Sequence, residues 1–164
     1  MRVRPAKAAD VAAMMNLERE TVSAAHWSQQ HYGGLFLPGA DRQGSERYAW
    51  VVEADRELHP KENLETQTRL RGFLIAHRMN DVYELENLVV STEMRRKGIA
   101  TLLVTQLLAQ SRETRASSIF LEVRESNQSA RKLYEKFGFK TAGLRKSYYQ
   151  SPQEDAVLYR LNLC

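Results

Sequence analysis

Three places in this 164-residue chain combine residue types and spacing suited to chemistry. The first is Arg95-Arg96-Lys97-Gly98-Ile99-Ala100, between an apolar strand-like run and a long helical pattern. Unpaired N–H groups at a helix N-terminus point outward, and the helix dipole adds about half a positive charge there, so such a start suits an anion. Gly98 allows close approach of a phosphate to the backbone, small Ala100 leaves the next turn unobstructed, and three consecutive cations raise the potential. A basic helix start with a capping glycine would give the same pattern without any ligand. The second place is Glu122, after Ile119-Phe120-Leu121 on a run that reads as buried strand. Ionised carboxylates are costly in such surroundings and their pKa tends to rise, which suits proton transfer. An ion pair with Arg124 or another nearby cation is the alternative. The third is Glu84 and Glu86, which share one face of a strand because side chains alternate.

Metal and nucleophile patterns are poor. His26 and His31 stand five apart, off the helical i, i+4 spacing, with no cysteine beside them; His59 and His77 are isolated, so no metal is expected. No nucleophile elbow is present.

These residues need elements to hold them. Met1–Arg4 reads as a strand, and Ala8–Glu20 as an amphipathic helix through Val11, Met14, Met15 and Leu17. Ser28 caps a short helix that Gly33-Gly34 ends. Tyr48–Val52, Leu70–Met79 and Val82–Val90 read as strands, the last two joined by the turn pair Asn80-Asp81. The charged, aperiodic stretch Asp55–Arg69 reads as a long hairpin loop, and it looks like an insertion. A helix over Gly98–Arg115 carries Ile99, Leu102, Leu103 and Leu107 on one stripe. Ser118–Val123 is a buried strand. Ala130, Leu133, Tyr134 and Phe137 mark a helix closed by Gly138, with Phe137 and Phe139 expected in the core. Strands over Lys140–Tyr149 and Ala156–Leu163 end the chain. The order β-α-α-β-β-β-α-β-α-β-β implies an α/β (mixed α+β) fold: one domain over 1–164, with a mixed sheet of about seven strands and helices on both faces.

Composition agrees. Hydrophobic residues make up 43% and charged ones 27%, a globular mixture, and no repeat or low-complexity segment is present. The lone cysteine, Cys164, excludes an internal disulfide framework and fits a reducing compartment. The longest uncharged stretch, Thr21–Ala40, is broken by Gln29, Gln30, Gly33, Gly34 and Pro38 and cannot span a membrane. Met1–Pro5 has no apolar run behind it, which argues against a secretory signal, so a soluble cytoplasmic protein is expected. The net charge of +4 hides an asymmetry: Met94–Lys146 holds 12 Lys/Arg against 4 Asp/Glu, a local +8 that leaves −4 elsewhere. Such a basic half attracts nucleic acid or a phosphate-bearing small molecule, or is a solvated surface.

Several spaced motifs together resemble the GNAT acetyltransferases. They are Leu85-Glu86-Asn87-Leu88-Val89-Val90, Arg95 to Ala100, Leu121-Glu122-Val123-Arg124, Asn127, and Leu133-Tyr134-Glu135-Lys136-Phe137-Gly138-Phe139. Trp27-Ser28, Arg145 to Tyr149 and Glu154-Asp155-Ala156 look like the RimI branch, which acetylates the N-terminal alanine amine of a small-subunit ribosomal protein. The likeness is dense from about Val82 to Leu161 and thin before that. It implies a GNAT fold and acetyl-CoA as cosubstrate, with no metal. The pyrophosphate would sit on the backbone of Arg96–Thr101 with Arg95 beside it; Ala100 stands where many relatives have glycine. Leu88, Val89 and Val90 would pair with the pantetheine arm as an added strand, and Asn127 would hydrogen-bond the cofactor.

Acetyl transfer to an amine needs a base for the amine, donors for the oxyanion and a proton or positive field for the departing thiolate. An α-amine is about a tenth neutral at pH 7, against roughly one lysine in 2,500, so a carboxylate acting through water suffices. The resemblance assigns Glu122 as that base and Tyr134, twelve residues on, as the acid; Tyr134 also lies on its helix's apolar stripe and fits the core equally. Some family members use a carboxylate on the earlier strand, which makes Glu84 or Glu86 the second candidate. Trp27, Tyr32, Tyr148 and Tyr149 are candidates to line a peptide groove, or are packing. Asn87 orients the acceptor or satisfies a buried backbone. The expected partner is a protein N-terminus, with no membrane, no nucleic acid, and a monomer or weak dimer. The alternatives are a small amine such as a polyamine or aminoglycoside, a lysine side chain, or a non-catalytic RNA- or ribosome-binding module.

Overall fold

The computed structural model describes residues 1–21, 27–36, 44–54 and 70–163. The loop Asp55–Arg69, with His26, His59 and Cys164, lies outside the described residues. The strands are β1 (Arg2–Pro5), β2 (Ser45–Glu53), β3 (Leu70–Met79), β4 (Val82–Val90), β5 (Ser118–Arg124), β6 (Lys140–Gln150) and β7 (Gln153–Asn162). The helices are α1 (Val11–Arg19), α2 (Gln29–Gly34), α3 (Ile99–Glu113) and α4 (Gln128–Lys136). The strands form one sheet in the order β1-β2-β3-β4-β5-β7-β6, antiparallel throughout except between β4 and β5.

Alternation along the strands builds two cores. Val51 of β2, Phe73 and Ile75 of β3 and Val89 of β4 face Met14 and Leu17 of α1 and Tyr32 of α2. Trp50, Val52, Leu74, Ala76, Leu85, Ile119, Leu121 and Val123 face the other way, onto α3 and Tyr134 of α4. Helices therefore cover both faces, as the element order implies. Ser28 caps α2 by accepting the His31 N–H, and Gly138, at φ +88°, follows α4 in the left-handed conformation its role as a stop requires.

One stripe needs correction. Leu102 is exposed, while Val104 and Leu108 are buried with Leu103 and Leu107. At 3.6 residues per turn, the buried residues centre on a line that puts Leu102 on the far side, so the apolar face starts at Ile99 and turns away from it.

The parallel pair β4–β5 is short. Val82–Leu85 pairs with Ser118–Leu121, after which β4 runs on to Val90 and β5 to Arg124 with no pairing between them. A β-bulge at Glu86, between the Ala76–Leu85 and Ile75–Asn87 pairs, falls where they separate, and bulges bend strands and re-aim side chains. The result is a wedge: each strand is paired on its outer side and bare on its inner side.

Candidate active site

β4 leads from the wedge through a single 3₁₀ turn, Thr92–Met94, into the segment Arg95–Gly98 and so into α3. Arg96 and Gly98 both have positive φ, +63° and +82°. These reversals turn successive N–H groups the same way, the geometry of an anion-binding nest. Among the described residues the amides of Arg96 to Thr101 make no backbone hydrogen bond; the first helical one comes from Leu102 to the Gly98 carbonyl. The space before Gly98 is open, since a Cβ built there meets nothing within 4 Å. Gly72 of β3 seats this end of the helix. A Cβ on Gly72 would lie 2.8 Å from both Ile99 Cγ2 and the Val89 carbonyl oxygen, so its absence lets α3 start against the wedge.

Where the two strands part stands an acidic face. Glu84 and Glu86 project from β4 and Glu122 from β5, all half-buried. Arg47 of β2 donates to Glu86 at 3.1 and 3.2 Å, and Arg145 of β6 pairs with Glu122 at 3.0 Å. Burial pushes the Glu84 carboxyl above its ordinary value; the charges of Glu86 and Glu122 push it further, while Arg145 and Arg47 pull it back. Glu122 pairs with Arg145 rather than with Arg124, whose guanidinium bonds Glu154 and covers the Tyr149 ring at 4.1 Å. The Glu122 charge is the largest cause of a raised Tyr148 pKa, with burial and a hydrogen bond between the two adding to it. Tyr149 is raised chiefly by burial and next by Glu122.

Tyr134 packs in the core. Its ring is 4% exposed, packed against Phe139 and Tyr159. Its hydroxyl makes no hydrogen bond among the described residues, and burial, followed by the charge of Tyr149, raises its pKa, so it keeps its proton at neutral pH. Asn127 caps α4, its Oδ1 accepting the Ala130 N–H at 3.1 Å. Leu88 and Val90 line the wedge edge half-buried, with Val89 buried between them. Two aromatic candidates sit away from the open face: Tyr32 is wholly buried against Phe73, and Trp27 packs on Tyr32 and His31. The Asn87 side chain turns inward to Glu18.

Two features escape a reading of the sequence by segments. His77, isolated along the chain, is placed by strand register opposite Glu84, and its ring lies within 4.8 Å of the carboxylates of Glu84 and Glu86. Its Nε2 meets the Ser45 hydroxyl at 2.7 Å. Arg145 stands beside Glu122, a placement that only the β6–β7 and β5–β7 registers reveal.

The sequence profile described as "Acetyltransferase (GNAT) family" matches residues 18–139, which take in the loop, the wedge and the acidic face. The chain belongs to the GNAT acetyltransferase family. Relatives of this GNAT enzyme include the [ribosomal protein bS18]-alanine N-acetyltransferases of Haemophilus ducreyi and Salmonella typhimurium. The first is 37% identical over 59% of this chain and 69% of the relative, the second 32% identical over 71% and 79%. The crystal structure of the ribosomal-protein-S18-alanine N-acetyltransferase from Escherichia coli superposes with a TM-score of 0.75 at 22% identity, covering 99% of this chain and 93% of that one. The GNAT chain is thus an N-acetyltransferase, and acetyl-CoA is the donor that such enzymes use. Among the described residues no helix is long and apolar enough to cross a membrane.

Proposed function

We propose that this enzyme transfers the acetyl group of acetyl-CoA to the α-amine of a protein N-terminus, with the N-terminal alanine of ribosomal protein S18 as acceptor. The observation that carries the reading is the wedge, which joins an anion site beyond its open end to a proton-accepting face where its strands part. Acetyl-CoA supplies the acetyl group as a thioester. The unpaired amides of Arg96 to Thr101 fit its diphosphate, with Arg95, Arg96 and Lys97 supplying charge. The bare inner edge of β4 at Leu88–Val90 offers backbone groups to the amide-bearing arm, as a sheet edge does to an added strand. Asn127 adds a side-chain contact beyond β5.

Glu122 accepts the acceptor's proton, directly or through one water, and Arg145 holds that carboxylate in place. Tyr134 donates to the sulfur as negative charge builds there, from a rigid ring whose hydroxyl has no competing partner among the described residues. Glu84 and Glu86, with Tyr148 and Tyr149, form the acceptor-side surface, and Trp27 and Tyr32 support its far wall. The relatives named for bS18-alanine acetylation support the choice of acceptor.

A thiol-release assay with acetyl-CoA tests this, comparing a peptide that begins Ala-Arg, the same peptide with a blocked terminus and an internal lysine, and spermidine. Turnover confined to the free-terminus peptide is expected. Preference for spermidine or for the lysine peptide would overturn the acceptor, and no turnover with any amine would overturn the reading itself.

A further inference from the structure

Glu18 lies in the last turn of α1, four residues after Met14 and beside Leu17, on the helix's buried face. It is only 2% exposed. A carboxylate in such a place is tolerated only when its oxygens are hydrogen-bonded. Each oxygen accepts one bond: Oε1 from Asn87 Nδ2 at 2.7 Å, and Oε2 from the Trp27 backbone N–H at 2.9 Å. Both donors are neutral. The arrangement therefore works by direction more than by charge pairing, and it spans 69 residues of sequence on one side and nine on the other.

The two groups it joins are not arbitrary. Trp27 immediately precedes Ser28, the cap of α2, and its ring packs on His31 and Tyr32, so the bond fixes where α2 begins. Asn87 directly follows the bulged Glu86, at the point where β4 leaves β5. One carboxylate thus registers the α1–α2 wall against the β4 stretch that carries Glu84 and Glu86. It touches neither the amides of Arg96–Thr101 nor α3.

We propose that Glu18 is a positioning residue for the acceptor, a buried clasp that sets the α1–α2 wall relative to the acidic face; this rests on the acceptor side assigned under the proposed function. Loss of the clasp lets that wall shift while the donor site, built on α3 and Gly72, stays in place. Acceptor binding suffers and acetyl-CoA binding does not.

Glu18→Met keeps the volume and the apolar surroundings but accepts neither bond. Glu18→Gln keeps both, because its oxygen takes the Trp27 N–H and its amide donates to Oδ1 of Asn87 once that side chain turns over. In steady-state assays with acetyl-CoA and the Ala-Arg peptide, Glu18→Met is expected to raise the acceptor KM about tenfold and to leave the acetyl-CoA KM within about twofold, with Glu18→Gln near the parent enzyme. Hydrogen exchange is expected to show faster exchange at Trp27 in Glu18→Met alone, with α3 unchanged. Three results would overturn the clasp: an unchanged acceptor KM in Glu18→Met, a parallel rise in both KM values, or Glu18→Gln behaving like Glu18→Met. Should the parent enzyme prefer another amine, the proposed acceptor fails and the same comparison is made with that amine. Should no amine turn over, exchange at Trp27 decides alone.

Discussion

Glu122 is bonded to Arg145 on one side and flanked by Glu84 and Tyr148 on the other, so its work and its support are separable by substitution. Glu122→Gln keeps the shape and removes the proton acceptor. The expected outcome is a kcat about 100-fold or more below the parent, with the acetyl-CoA KM little changed, since general base catalysis contributes on that scale; an unaffected kcat would move the base to Glu84 or Glu86. Tyr134→Phe removes one hydroxyl from a ring otherwise packed on Phe139 and Tyr159, so the melting temperature should hold while kcat falls. Full activity in that variant would return Tyr134 to a packing role. Glu84 gives a pH-dependent prediction. Its carboxyl is raised in the folded protein by burial and by like charges, so the folded state binds that proton more tightly than the unfolded one. Stability tied to the protonated form is complete below the ordinary carboxylate pKa and is lost as pH rises through the raised folded value. Glu84→Gln should therefore match the parent near pH 4 and exceed it at pH 7. For this half-exposed group, screened by solvent, the gain should stay under about 1 kcal/mol. Thermal melts at the two pH values decide, and a variant less stable at pH 7 would refute the repulsion.

Between residues and the whole stand the elements, and here the sequence was largely readable. Capping by Ser28, the stop at Gly138 and the turn at Asn80-Asp81 are local signals, and each appears where its chemistry places it, whereas the bulge at Glu86 switches the buried face partway along β4. Leu102 departs from the expected stripe because a four-residue apolar cluster fixes the centre of a helical face only to within about a quarter of a turn. Glycine shapes the proposed donor site at the element scale. Gly98 holds φ +82°, where an L side chain costs on the order of 1–2 kcal/mol, and its Cβ would project into the open space before the loop. Gly98→Ala should lower the melting temperature modestly and raise the acetyl-CoA KM about tenfold, with the acceptor KM unaffected. Equal effects on both substrates would show that the loop serves general integrity and not the anion. Gly72→Ala, by contrast, must displace both Ile99 and the β4 backbone, so its loss of stability should be the larger of the two.

At the scale of the molecule, what was legible depended on sequence separation. The proposed anion site is one run of six residues and is legible without a fold. The acidic face draws Glu84 and Glu86 from β4, Glu122 from β5, Arg145 from β6 and His77 from β3, and only strand register makes them neighbours. The Glu18–Asn87 bond left no trace in the sequence beyond a glutamate on an apolar helical face. The charge asymmetry was visible from the start, and the fold gives it a direction: the cations of the +8 segment include those at the start of α3, while Glu84 and Glu86 lie outside that segment. A diphosphate held by Arg95, Arg96 and Lys97 as well as by backbone amides is bound partly through screened charge. Raising salt from about 0.05 M to about 0.5 M shortens the screening length from roughly 14 to roughly 4 Å, so the side-chain share fades while the amide contacts persist. The acetyl-CoA KM should rise several-fold over that range and then level off, with kcat nearly constant. Replacing Arg96 and Lys97 together by Gln should raise the KM at low salt to about the parent's high-salt value and flatten the dependence. A salt-independent KM in the parent, or an unaltered slope in the double variant, would mean that the basic run is solvated surface and that the amides bind the donor alone.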